Sequence, residues 1–260
     1  MKKFIKSYWK TLVFFAIVGV VGGFFTGIYL LDSYPADIKQ QLIDELAASG
    51  LGMFPPNIVL GVVSAIQSMG YGIVLGAVGI WLAKKIGLWK DETKITQKPL
   101  SATIVLSVVC GLALILLDVL FFGKYSDAIM DSYAVKPTFV YILASVTYGA
   151  VIEEVMLRLF WMSLVAFLLW KVFDRKNQYP STWVLVVANV VSSILFAAGH
   201  LPATAELLGL TPMIVARCFL LNGGIGLILG LLYRKYGLRY AMIAHGGCHI
   251  ISKLIWILFI

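Results

Sequence analysis

Long runs without a single charge constrain this chain more than any other feature of its sequence. Thr11 to Leu31 is uncharged over 21 residues. Comparable apolar runs recur at about Asn57–Ala83, Leu100–Phe122, Pro137–Trp170, Thr182–His200, Pro212–Tyr233 and Tyr240–Ile260. Roughly 20 apolar residues cross the ~30 Å hydrocarbon core as a helix. Lipid offers no partner for backbone N–H and C=O groups, so a spanning segment must satisfy its own hydrogen bonds. The fold class this predicts is an all-α, polytopic transmembrane bundle of seven or eight spans. Its variable point is the run from Pro137 to Trp170, which at 34 residues is long for one span and short for two. One long bent helix fits the alternation of loop charge, and a helix broken near Arg158 is the alternative.

Composition agrees and closes off other classes. The chain of 260 residues is 60% hydrophobic and 13% charged, with a mean hydropathy of +0.92, against about 25% charged residues in soluble domains. No room remains for a separate soluble domain. The net charge of +8 does not point to nucleic acid, because Lys and Arg gather in short loops. That distribution follows the positive-inside rule and favours anionic lipid headgroups. Lys2, Lys3, Lys6 and Lys10 precede the first run and place the N-terminus in the cytoplasm. That run is too long for a signal peptide and lacks a small-residue cleavage site. The next loop, with Asp32, Asp37, Asp44 and Glu45 against Lys39, suits the outside. Lys84, Lys85, Lys90, Lys94 and Lys98 read as inside despite Asp91 and Glu92, as do Lys171, Arg175 and Lys176, and Arg234, Lys235 and Arg239. The protein is expected in the cell membrane. Cys110, Cys218 and Cys248 lie in apolar segments and form no disulfide framework.

Against this background, Glu153-Glu154-Val155-Met156-Leu157-Arg158 stands out. An ionisable residue at the centre of a membrane helix costs about 2.5–3.5 kcal/mol on insertion scales and is a functional hypothesis by default. Residues four apart share a helix face, so Glu154 is placed to pair with Arg158. Glu153 points elsewhere and is the better reactive carboxylate. The plain alternative is a structural ion pair with a snorkelling glutamate. The chain has three histidines, His200, His245 and His249, all in apolar segments. Phe196 stands one turn before His200, where its ring can orient the imidazole, and Pro202 is expected to end that helix. His245 and His249 share a face that Lys253 continues, with Gly246 and Gly247 leaving space for a backbone or substrate to approach. An i, i+4 histidine pair can bind zinc or donate hydrogen bonds in a cavity. Asp118, Arg217 and Lys253 read as a structural charge cluster between helices, with lining of a substrate path as the sharper reading. Asn189, Ser192 and Ser193 read as interhelical hydrogen-bonding groups. Cys248 lies off the histidine face and is not taken as a nucleophile.

Glu-Glu-x-x-x-Arg at 153–158, Phe-x-x-x-His at 196–200 and the late histidine at 245 resemble, in that order, the CPBP family. These are intramembrane proteases also called Abi or type II CAAX prenyl endopeptidase-like proteins. Gly226-Leu-Ile-Leu-Gly230-Leu-Leu-Tyr233 is similar to the family's lead-in to its final histidine. The resemblance covers Tyr141 to Ile250, so residues 1–136 are expected to form three N-terminal spans and residues 137–260 the catalytic helices of one integral membrane domain. It implies Glu153 as general base, His200 as its partner on the attacking water, and His245 in an oxyanion hole, with Glu154, Arg158 and Phe196 in support. His249 stands where the family usually has Asn or Asp. A neutral imidazole can still donate one hydrogen bond there. Yet Glu153, His200, His245 and His249 also make a plausible zinc ligand set; the metal-free reading is preferred, and a degenerate, inactive site stays open. The implied substrate is a membrane-associated peptide or protein, CAAX-type and prenylated, or a leader, pheromone or bacteriocin peptide. A non-proteolytic scaffold or bacteriocin-immunity protein using the same cavity is the rival, and a transporter the third reading.

The expected depths of these residues in the membrane do not coincide. At ~1.5 Å per residue, Glu153 falls ~6 Å and His245 ~9 Å from the cytoplasmic face, but His200 falls ~27 Å from it if its helix starts at Thr182.

Overall fold

The computed structural model describes residues 2–91 and 95–260. Glu92 and Lys94, and the side chains of Lys2 and Lys3, lie outside the described residues. Nine helices occur among the described residues: α1 (Lys2–Ser33), α2 (Ala36–Ala48), α3 (Pro56–Lys85), α4 (Gln97–Leu120), α5 (Asp127–Ala134), α6 (Phe139–Phe173), α7 (Thr182–Leu208), α8 (Pro212–Tyr236) and α9 (Leu238–Phe259). Seven are long and apolar enough to cross a membrane, α2 and α5 being the exceptions. The protein is an integral membrane helical bundle.

The uncertain run resolves as one unbroken 35-residue helix. It passes through Arg158 in widened π-helical turns, Ser145–Glu153 and Val155–Met162, instead of breaking. Such turns are frequent at functional sites. The Thr138 hydroxyl caps the start of α6 by accepting from the Tyr141 N–H at 3.2 Å, and Thr211 caps α8 through Ile214 in the same way. Helix α7 runs through Pro202 to Leu208, beyond the expected stop, and turns at Gly209 with φ +71°. Proline removes one N–H from the helix ladder, but neighbouring helices re-satisfy such backbone groups inside a bundle. Close by, the Cys218 thiol of α8 donates to the Ala197 carbonyl at 3.2 Å, tying α8 to α7.

The three N-terminal spans pack directly on the helices that bear the ionisable cluster. Helices α1 and α3 approach so closely that a Cβ on Gly19 would stand 2.7 Å from the Ser68 carbonyl oxygen. Small residues permit this in lipid, where packing and not water exclusion drives helix association. Gly22 lets α1 meet Tyr148 of α6, and Gly79 lets α3 meet Leu159. Gly247 has the same duty, since a Cβ there would meet Ser107 of α4 at 2.5 Å. The space expected beside the histidines is therefore filled by a neighbouring helix. Between these layers, Val155, Leu159, Met162, Ala188, Leu229 and Tyr233 form the centre of the apolar core. Asn189 and Ser192 bridge helices as expected, donating to Leu227 O at 3.0 Å and Leu157 O at 2.7 Å, whereas the buried Ser193 hydroxyl makes no hydrogen bond among the described residues.

That last bond also removes much of the depth discrepancy. Leu157 lies 16 residues from the end of α6 at Phe173, whereas Ser192 lies 10 residues from the start of α7 at Thr182. Helix α6 thus overhangs by six residues, about 9 Å. Glu153 then stands ~21 Å from the level of Thr182 and His200 ~27 Å, so they share a depth zone.

Candidate active site

Glu154 and Arg158 are both fully buried, with Glu154 Oε2 3.5 Å from Arg158 Nε. This is an ion-pair contact without hydrogen-bond geometry. Arg158 is held more firmly by its other contacts. Its Nη2 donates to the Gly226 carbonyl at 3.1 Å, and its guanidinium lies 4.9 Å over the Phe196 ring. A Cβ on Gly226 would stand 3.2 Å from Arg158 Nη2 and 3.3 Å from the Phe196 ring, which explains the glycine.

Glu154 has a second partner that the sequence did not reveal. Its Oε1 lies 3.0 Å from Nδ1 of His245, on a helix 91 residues away. An ionised carboxylate only accepts, so Nδ1 carries a proton and Nε2 is the nitrogen turned to the rest of the site. That Nε2 lies 3.9 Å from Glu153 Oε2, within ion-pair reach but too far for a hydrogen bond. The two glutamates do not diverge as a regular α-helix would have them. They straddle one imidazole, because the widened turns of α6 reduce the angle between neighbours. A signal existed in the count of lone pairs, since one arginine leaves Glu154 with an unused oxygen. Which histidine would fill it was not readable.

Phe196 joins three members of the group. Its ring meets His200 edge-on at 4.7 Å and His245 at 5.9 Å, and carries the Arg158 guanidinium. His200 Nδ1 lies 2.8 Å from the Phe196 carbonyl, one turn back. Nδ1–H is the donor to that oxygen, which leaves Nε2 of His200 available. Among the described residues no hydrogen bond or ion pair links His200 to Glu153. The histidine that meets Glu153 is His245, and His200 is tied in through Phe196.

His249 stacks on His245 with ring centres 4.9 Å apart and planes 27° apart. The point where a Gly149 Cβ would stand lies 3.2 Å from His249 Nε2 and 3.8 Å from Glu153 Oε2. The absent side chain at 149 therefore leaves a small space edged by both. Nδ1 of His249 faces away from it, 3.4 Å from Lys253 Nζ.

Zinc would need at least three of Glu153, His200, His245 and His249 to converge on one point. Among the described residues no group of three or more His, Cys, Asp and Glu side chains is placed to hold a metal ion. The Lys253 ammonium against His249 adds a repelling positive charge. As arranged, these residues do not fit a zinc ion.

The expected cluster of Asp118, Arg217 and Lys253 divides. Asp118 and Arg217 form a two-pronged pair, with Arg217 Nε donating to Asp118 Oδ1 at 2.6 Å and Nη2 to Oδ2. The Tyr133 hydroxyl also donates to Oδ2 at 2.9 Å. Burial foremost, and then the adjacent Asp118 charge, push the Tyr133 hydroxyl well above its usual range, so it stays a donor. Lys253 has no part in this and sits with the histidines.

Residues 135–251 match the family model described as Type II CAAX prenyl endopeptidase Rce1-like. No curated protein and no solved structure matches the chain. The matched stretch runs from just before α6 to the middle of α9. It contains Glu153, Glu154, Arg158, Phe196, His200, His245 and His249, and leaves the first three spans outside.

Proposed function

From the match of residues 135–251 to the type II CAAX prenyl endopeptidase family, we propose that this protein is an intramembrane endopeptidase that hydrolyses a peptide bond by water activation without a metal. The observation that carries the proposal is the arrangement around Glu153. It is a carboxylate left out of the Arg158 ion pair, partly accessible at 18% of its side chain, and faced by the free nitrogen of an oriented histidine. Hydrolysis needs a base for the water and donors for the tetrahedral oxyanion. In this proposal Glu153 takes the proton from water, with His200 Nε2 as the second contact to that water. His249 presents Nε2–H to the oxyanion, and His245, fixed by Glu154 at Nδ1, joins it as a donor in the reacting state, where its Nε2 also carries a proton. Arg158 and Phe196 act by position, holding Glu154 and both rings.

The substrate class proposed is a membrane-associated peptide or protein with a prenylated CAAX-type C-terminus; leader, pheromone and bacteriocin peptides are the other members of the set. The basic loops support an orientation with the N-terminus in the cytoplasm of a cell-membrane protein. Purified protein in detergent should release the C-terminal tripeptide from a farnesylated CAAX peptide, read by mass spectrometry, equally with and without chelator. Loss of cleavage together with stoichiometric zinc would overturn the metal-free mechanism. Absence of cleavage of any of these peptides, with specific capture of one of them, would favour the scaffold or immunity role.

A further inference from the structure

Lys253 is a charge the proposed reaction does not use, and its placement is unusual. It is 4% exposed within a span, and among the described residues no carboxylate lies within ion-pair distance of it. Its Nζ meets two rings. One is the face of Tyr141, 4.2 Å from the ring centre, where an ammonium is attracted by the ring quadrupole. The other is Nδ1 of His249 at 3.4 Å. Tyr141 is itself fixed by stacking on Tyr29, ring centres 4.2 Å apart and planes 9° apart. The ammonium is therefore aimed, with little freedom, at one ring nitrogen.

Charge bookkeeping gives the reason for tolerating it. Asp118 and Arg217 cancel each other at their own site. In the histidine cluster Glu153 and Glu154 face Arg158 as the one directly paired cation, which leaves one negative charge. Lys253 supplies the balancing positive charge, with the imidazole of His249 standing between it and Glu153. An isolated buried charge is far costlier than a compensated one.

We infer that Lys253 is a positioning residue that sets the tautomer of His249. This rests on the protease reading for its consequence. An ammonium only donates, so Nδ1 of His249 accepts and its single proton sits on Nε2. That N–H points at the space in front of Gly149 and Glu153. A lone imidazole can carry its proton on either nitrogen, and half-correct placement wastes the donor. An asparagine side chain, by contrast, owns an amide N–H with no such ambiguity. Lysine at 253 makes histidine at 249 a fixed donor in the same sense.

The test has an arm that does not depend on turnover. Nitrogen NMR of the ring-labelled protein in micelles should give His249 as the Nε2–H tautomer, and Lys253→Met should convert it to a mixture. A His249 already protonated on Nδ1, or a tautomer unmoved by Lys253→Met, overturns the inference. In cleavage assays Lys253→Met should lower kcat about tenfold with KM unchanged, less than the roughly 10²–10³-fold cost of deleting an oxyanion donor outright. Lys253→Arg should recover most of the rate. With His249→Asn already present, Lys253→Met should cost no further rate. An equal loss in both backgrounds means that Lys253 is merely structural and contradicts the inference. Should the unaltered protein cleave nothing, the protease reading fails, and the tautomer measurement still decides the role of Lys253.

Discussion

Two buried groups of charge occupy the same bundle and are built on opposite plans. In the first, Asp118 takes two bonds from Arg217 and one from Tyr133, so both carboxylate oxygens are occupied by donors. In the second, Glu153 has no hydrogen bond among the described residues, and it faces an imidazole nitrogen 3.9 Å away. A closed pair is what stability asks of buried charge, because every donor and acceptor is matched. An open group keeps lone pairs and N–H bonds for something that enters. The difference separates a clamp between α4 and α8 from a site able to do chemistry.

The first way to break this comparison is at the clamp. Asp118→Asn leaves Arg217 without its counter-charge, and removing one partner of a buried pair costs about 3–5 kcal/mol. Thermal unfolding in detergent should fall accordingly, while cleavage per folded molecule stays unchanged. A rate loss without a stability loss would place Asp118 in the reacting site and dissolve the contrast. The opposite pattern belongs to His245→Ala, for which the rate should drop roughly 10²–10³-fold, as for one lost oxyanion donor. Unfolding temperature is the control there, and a collapse of stability with the specific rate intact would make His245 a structural residue. Gly149→Ala sharpens the comparison further. The new methyl would stand 3.2 Å from His249 Nε2, and the rate should fall by about tenfold, a minor part of a full donor loss, with expression unaffected.

The smallest effect lies outside both groups, in the loop joining α6 to α7. Asp174 accepts from the Ser181 N–H at 2.7 Å and from Asn177 Nδ2 at 2.6 Å, and the Ser181 backbone bond foremost holds its carboxyl below the usual range. Because the folded form is the more acidic, this latch contributes fully above about pH 4, the ordinary carboxylate value. It is lost as pH falls through the lowered folded value. The protection of the Ser181 amide against exchange, relative to its intrinsic rate at each pH, should therefore fall only on acidification, and unchanged protection at low pH would show that Asp174 holds nothing.

How far the sequence carried the account differs between its parts. Apolar runs and loop charges specified the spans, because lipid leaves the backbone no alternative to helices. The motif residues were legible for the same reason, since an ionisable group in such a run is conspicuous. The partners of those groups were not. Glu154 was visibly near Arg158 along one helix, but its bond to His245 depends on how α6 and α9 pack. Widened turns put Glu153 and Glu154 on either side of one ring, which a regular helical wheel does not predict. Lys253 looked like a companion of Asp118 and Arg217 because all three fell at a similar depth. Only the lateral arrangement of α4, α8 and α9 separates them.

The central claim is that Glu153 is the base. Glu153→Gln keeps the shape of the side chain and removes its ability to take a proton. Measured in a single-turnover cleavage assay with a farnesylated CAAX peptide, alongside thermal unfolding, the rate should fall by about 10²–10⁴-fold with the unfolding temperature unchanged. A folded Glu153→Gln protein that cleaves at the original rate would contradict the account.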